Sequence, residues 1–118
     1  YVQSRMWVWE MRTFRGEAGD LEAANQALLD AEEHVRDPYE RMLIAVLRGD
    51  PVPDDAIAKA KSDAQRAAGH YYVGVRRLVD RRDAEAEGEF KICTDRNIPG
   101  LPEQDFARWH LTRLELGR

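Results

Sequence analysis

The chain has 118 residues, a net charge of −4 and 43% apolar residues, enough for one domain with its own core and too apolar for a disordered tail. An acidic balance argues against sequence-independent nucleic-acid binding, which needs a basic footprint, and no apolar run approaches the roughly 20 residues of a membrane span. Cys93 is the single cysteine, which excludes an internal disulfide and a multi-cysteine zinc site.

The first predicted helix covers residues 2–14 and closes at Gly16 and Gly19. Asp20 is a natural N-cap for a second, over 21–35, where Leu21, Ala24, Leu28 and Ala31 recur at three- and four-residue spacing. Pro38 suits the first turn of a third helix over 38–48, with Met42, Ile44, Ala45 and Leu47 apolar. Gly49-Asp50-Pro51-Val52-Pro53 is a firm break, and a short helix over 54–61 follows. Ser62-Asp63-Ala64-Gln65 has the spacing of a capping box and opens a long helix over 62–82. Tyr71-Tyr72-Val73-Gly74-Val75 is rich in β-formers, but its helix-forming flanks and the absence of proline place it inside that helix. Helices over 83–97 and 103–116 complete the chain, separated by Asn97-Ile98-Pro99-Gly100-Leu101-Pro102. A helix content of about four-fifths, against about a third in ordinary globular proteins, predicts an all-α bundle or helical repeat.

Repeat spacing is clearest in residues 67–100. Val73-Gly74 precedes Ala86-x-x-x-Phe90, Cys93 is small three residues later, and Pro99 closes the segment. These residues resemble a tetratricopeptide repeat, with two departures: His70 stands where the pattern carries Trp, and Arg77 where it carries Tyr. Gly74 and Ala86 would let helix backbones approach closely, and Phe90 would fill the gap between them. The resemblance implies a tetratricopeptide-like superhelix of about three helix pairs. On that reading residues 1–36 would form a degenerate repeat, 37–61 a compressed one, 62–100 the best match and 101–118 a capping helix, and the expectation is that the chain is part of a longer protein.

Met6-Trp7-Val8-Trp9, Pro38-Tyr39-Glu40-Arg41-Met42, His70-Tyr71-Tyr72-Val73-Gly74 and Phe106-Ala107-Arg108-Trp109 also follow in the order found in bacterial lipoproteins of the NlpI type. That second resemblance implies an envelope adaptor, periplasmic or anchored at the outer membrane; without it, a cytoplasmic location is the expectation.

Chemistry-bearing sets are missing from the sequence. His34, His70 and His110 form no i,i+3 or i,i+4 pair, and nothing matches a zinc, phosphate-loop or nucleophile-elbow motif. Cys93 falls at a core repeat position and is expected to be buried and inert. Neither an enzyme nor a metal or cofactor is expected. Arg76, Arg77, Arg81 and Arg82 lack the aromatic interleaving of a nucleic-acid surface and read as a solvated helix end.

The expected function is therefore a protein–protein interaction scaffold that binds a peptide or helix of a partner protein. By the resemblance, the first helix of a repeat lines the groove, so Tyr71, Tyr72, Val75 and Leu78 are the expected groove residues. Trp7, Met11 and Phe14 form one apolar strip of the first helix, and Met6 and Trp9 an adjacent one. One strip suffices for packing, so Trp7 and Trp9 suggest an alternative role in homo-oligomerisation. Trp109 with Phe106, Leu111 and Leu114 predicts a terminal helix with one apolar face turned inward and one charged face turned out. A helical enzyme or regulatory subunit with a site shared across an interface is a third reading.

Overall fold

A computed structural model describes residues 20–51 and 55–117 of the chain. Every regular element among them is helical: α1 (Asp20–His34), α2 (Pro38–Arg48), a 3-10 turn (Ile57–Lys59), α3 (Asp63–Val79), α4 (Asp83–Cys93) and α5 (Pro102–Leu116). The all-α expectation holds for these residues, the β-rich run Tyr71–Val75 included. The chain divides into two compact units, with the boundary between Val52 and Pro53, in the run where proline removes backbone donors.

In the first unit α1 and α2 are joined by a short link and share a core of Leu28, Ala31, Val35, Leu43, Ile44, Val46 and Leu47. Asp37 caps α2 by accepting from the Tyr39 N–H at 3.0 Å, with Pro38 just inside the helix. At the other end Gly49 adopts φ +83°, and the Gly49 and Asp50 N–H groups donate to the Val46 and Ala45 carbonyls at 3.0 Å. That left-handed turn is one glycine adopts without steric penalty. Arg48 reaches from it to Glu32 on α1 and to Asp50. Burial works against the Arg48 charge, but hydrogen bonds and Coulomb attraction from Asp50 and Glu32 outweigh it and hold the guanidinium above its usual range.

In the second unit α3 and α4 form a tight helical hairpin on which α5 packs. Ser62 caps α3 by accepting from the Gln65 N–H at 3.1 Å, while Gln65 Oε1 accepts from the Lys61 N–H at 2.8 Å. The capping box thus forms with its return bond one residue upstream of the cap. The helix stops at Val79 rather than Arg82 because the chain turns left-handed at Arg81, φ +61°. Arg82 N–H then donates to the Arg77 carbonyl at 2.8 Å and Arg81 N–H to Leu78 at 3.0 Å, the bonding of a glycine-type helix end made without glycine. Likewise α4 ends at Cys93 rather than 97, where the Thr94 hydroxyl donates back to the Phe90 carbonyl at 3.0 Å. The short helix expected over 54–61 is reduced to the 3-10 turn among its described residues.

Gly74 and Phe90 set how closely the hairpin closes. A Cβ on Gly74 would stand 2.6 Å from Phe90 Cε1, so only glycine leaves room for the ring at this position. Phe90, Ala86 and Cys93 are fully buried, and Pro99 is exposed in the turn between α4 and α5.

Candidate functional site

Two places in the second unit carry chemistry beyond ordinary apolar packing: the buried junction beneath α5, and the outer face of α5 itself. The junction is built from polar residues that face inward. Glu103, Gln104 and His110 are buried on α5 around Ala107, whose small side chain permits close approach. Tyr72 on α3 donates its hydroxyl to Glu103 Oε1 at 3.1 Å. Gln104 is a clip for the turn after α4: its Nε2 donates to the Cys93 carbonyl at 3.0 Å and to the Arg96 carbonyl, while its Oε1 accepts from the Ile98 N–H at 2.8 Å. His110 stacks on Phe90 with ring centroids 5.0 Å apart and planes 8° from parallel. Hydrogen bonds such as those of Glu103 Oε1 and Gln104 offset the cost of burying polar atoms.

Cys93 lies under this junction, its thiol 4.0 Å from the Glu103 carbonyl oxygen. Burial, reinforced by the Glu103 carboxyl, pushes the thiol up to about 12. Such a group is not a nucleophile at neutral pH.

The expected groove residues lie inside this structure. Tyr71, Tyr72 and Val75 are 0%, 1% and 0% exposed, and Leu78 is half-buried. The Tyr71 ring lies within 6.3 Å of Phe90, Phe106 and His110 and meets Tyr72 edge-on at 5.0 Å. An open groove at Tyr71, Tyr72 and Val75 is therefore corrected to a closed core, because α4 and α5 supply aromatic partners for these side chains. Trp7 and Trp9 lie outside the described residues.

The orientation expected for α5 is corrected as well. Trp109 and Leu116 face outward, 55% and 80% exposed, and Phe106, whose inner side meets the Tyr71 ring, is 38% exposed. Leu111 and Leu114 are only half-buried. Amphipathicity by residue type pointed the other way, because the inward polar residues find partners distant in sequence. Phe106, Trp109, Arg113 and Leu116 follow one another at three- and four-residue spacing and form a strip along the exposed side, with the Arg113 guanidinium 4.8 Å from the centre of the Trp109 ring. The aromatics of this strip were visible in the sequence; which way they faced was not.

The two departures from the repeat pattern also acquire partners. His70 Nδ1–H donates to Glu89 Oε2 at 2.6 Å, and Arg77 Nε lies 3.4 Å from Glu85 Oε2. With Asp63–Arg96 at 3.3 Å and Arg66–Asp95 at 3.7 Å, these pairs run along one edge of the hairpin. Polar pairing across α3 and α4 stands where the repeat pattern places large aromatics.

No family model matches the chain, and no curated protein and no solved structure is significantly similar to it. No helix among the described residues is long and apolar enough to cross a membrane.

Proposed function

We propose that this chain is a tetratricopeptide-like protein-interaction module, working as a scaffold or adaptor that holds a peptide or helix of a partner protein. The observation that carries the reading is the outer face of α5. A tryptophan, a phenylalanine and a leucine stand exposed on a helix fixed from beneath by Gln104, Glu103 and His110. Contiguous exposed apolar side chains on a rigid element are characteristic of surfaces that other proteins cover, and Trp and Arg are the residues such interfaces concentrate at their centres. The α3–α4 hairpin, with Gly74, Ala86, Phe90 and Cys93 packed at its interface, supports the tetratricopeptide-like part of the proposal. The envelope location and bacterial adaptor role implied by the sequence resemblance belong to the same proposal.

The test is photo-crosslinking in cells with Trp109→benzoylphenylalanine. The expected outcome is an adduct of discrete mass, absent when the analogue replaces the off-strip Glu115. No adduct from position 109, or equal adducts from both positions, overturns the docking-face reading.

A further inference from the structure

We infer that the outer face of α5 binds a second copy of this chain, helix against antiparallel helix, with the two-fold axis at Trp109. This rests on the reading of that face as a protein-docking surface and names its occupant.

The order of chemistry along the strip is self-complementary. Pro102, Asp105, Trp109, Arg113 and Leu116 are all exposed and succeed one another at spacings of three and four residues, so they lie along one side of α5. Centred on Trp109, the strip carries an anion four residues before and a cation four residues after. Seven residues before stands an apolar ring, and seven after an apolar side chain. A two-fold axis through Trp109 places Asp105 of each copy opposite Arg113 of the other, and Pro102 opposite Leu116. Trp109 faces its own equivalent, and Phe106 lies beside it. This is the self-complementarity an isologous contact requires, since the same patch must serve both sides. A parallel pair would set Asp105 against Asp105 and Arg113 against Arg113, so charge alone selects the antiparallel arrangement.

Within one chain these charges have only surface contacts. Asp105 accepts from Arg108 at 3.2 Å in an exposed i,i+3 pair, and Arg113 stacks on Trp109. Exposed pairs of this kind contribute little, so exchanging them for contacts across the interface costs little. A single pair of helices buries less surface than a standard interface, which puts the contact in the weak, concentration-dependent class.

The experiment is sedimentation equilibrium of the whole chain from low concentration up to about 1 mM, where even a millimolar contact is half-formed. The expected mass rises from one copy to two. Asp105→Arg alone and Arg113→Asp alone each weaken the two-copy species tenfold or more. The double variant restores it, and so does an equimolar mixture of the two single variants, because each then supplies the charge the other lacks. Both changes lie on solvent-exposed positions, and circular dichroism verifies that helix content is kept.

A one-copy mass throughout overturns the inference, as does a two-copy species indifferent to both charge changes, which would lie elsewhere, for instance at Trp7 and Trp9. A one-copy mass together with a position-109 adduct to a different protein overturns the second-copy occupant and leaves the docking face standing. A one-copy mass without any adduct overturns both.

Discussion

At the scale of single residues, the second unit depends on a few groups whose partners are far away in sequence. Tyr72 and Glu103 are joined by a buried hydrogen bond, and removing one partner of a buried bond leaves the other unsatisfied. Tyr72→Phe keeps the ring packing and removes the donor, so it should lower stability by roughly 1–3 kcal/mol in urea denaturation. Gly74→Ala brings a methyl group against the Phe90 ring, which has no free space to yield. The expected loss is about 1–3 kcal/mol; an unchanged denaturation midpoint would show that the hairpin is looser than described.

Arg81 makes the opposite prediction. It holds a left-handed conformation that costs an L-residue roughly 1 kcal/mol. Arg81→Gly should raise the melting temperature slightly, because glycine relieves that cost at a helix end.

Cys93 gives a pH dependence with a definite sign. The thiol ordinarily ionises near 9.0 and in the fold near 12. The unfolded chain therefore gains charge first as pH rises through that window, favouring unfolding. The contribution of the neutral buried thiol is complete below about pH 9 and is lost between 9 and 12. Cys93→Ala should flatten the fall in stability over that range. Thiol reagents at pH 8 should label the native protein only as fast as it unfolds.

At the scale of elements, local chemistry was legible wherever a residue type forces a backbone conformation. Pro38 and Gly49 bound α2 as the sequence predicts, Asp37 sits at its cap, and Ser62 opens α3. Legibility failed at helix ends built without such residues: Arg81 makes a glycine-type turn, and Thr94 ends α4 with its own hydroxyl. It failed again in deciding which side of α5 is buried. Nothing in the residue types of Glu103, Gln104 and His110 marks them as inward, and only Tyr72, the Cys93 and Arg96 carbonyls and the Phe90 ring make that face an inner one. Those partners lie on other elements, where no periodicity points to them.

The α3–α4 hairpin shows the same dependence. His70 and Arg77, read as departures from a repeat, face Glu89 and Glu85. The part-buried His70–Glu89 contact should register in a double-mutant cycle of His70→Ala and Glu89→Ala as a coupling of roughly 0.5 kcal/mol or more. The exposed Arg96–Asp63 pair should give less, since solvent screens it.

At the scale of the whole molecule, packing and binding are separated by burial. The core of the second unit is closed over Tyr71, Tyr72 and Val75, and among its described residues Phe106, Trp109 and Leu116 on α5 make up most of the exposed large apolar side chains, with Ile92 on α4. We propose that this outer face, rather than the inner side of α3, is where the protein meets its partner, a second copy of the chain. The most direct measurement is the backbone amide spectrum of the isotopically labelled chain, followed as its own concentration is raised. Graded shifts are expected at Asp105, Phe106, Trp109, Arg113 and Leu116, with Tyr71, Tyr72 and Val75 unmoved. Shifts centred on Tyr71 and Val75, with α5 silent, would contradict it.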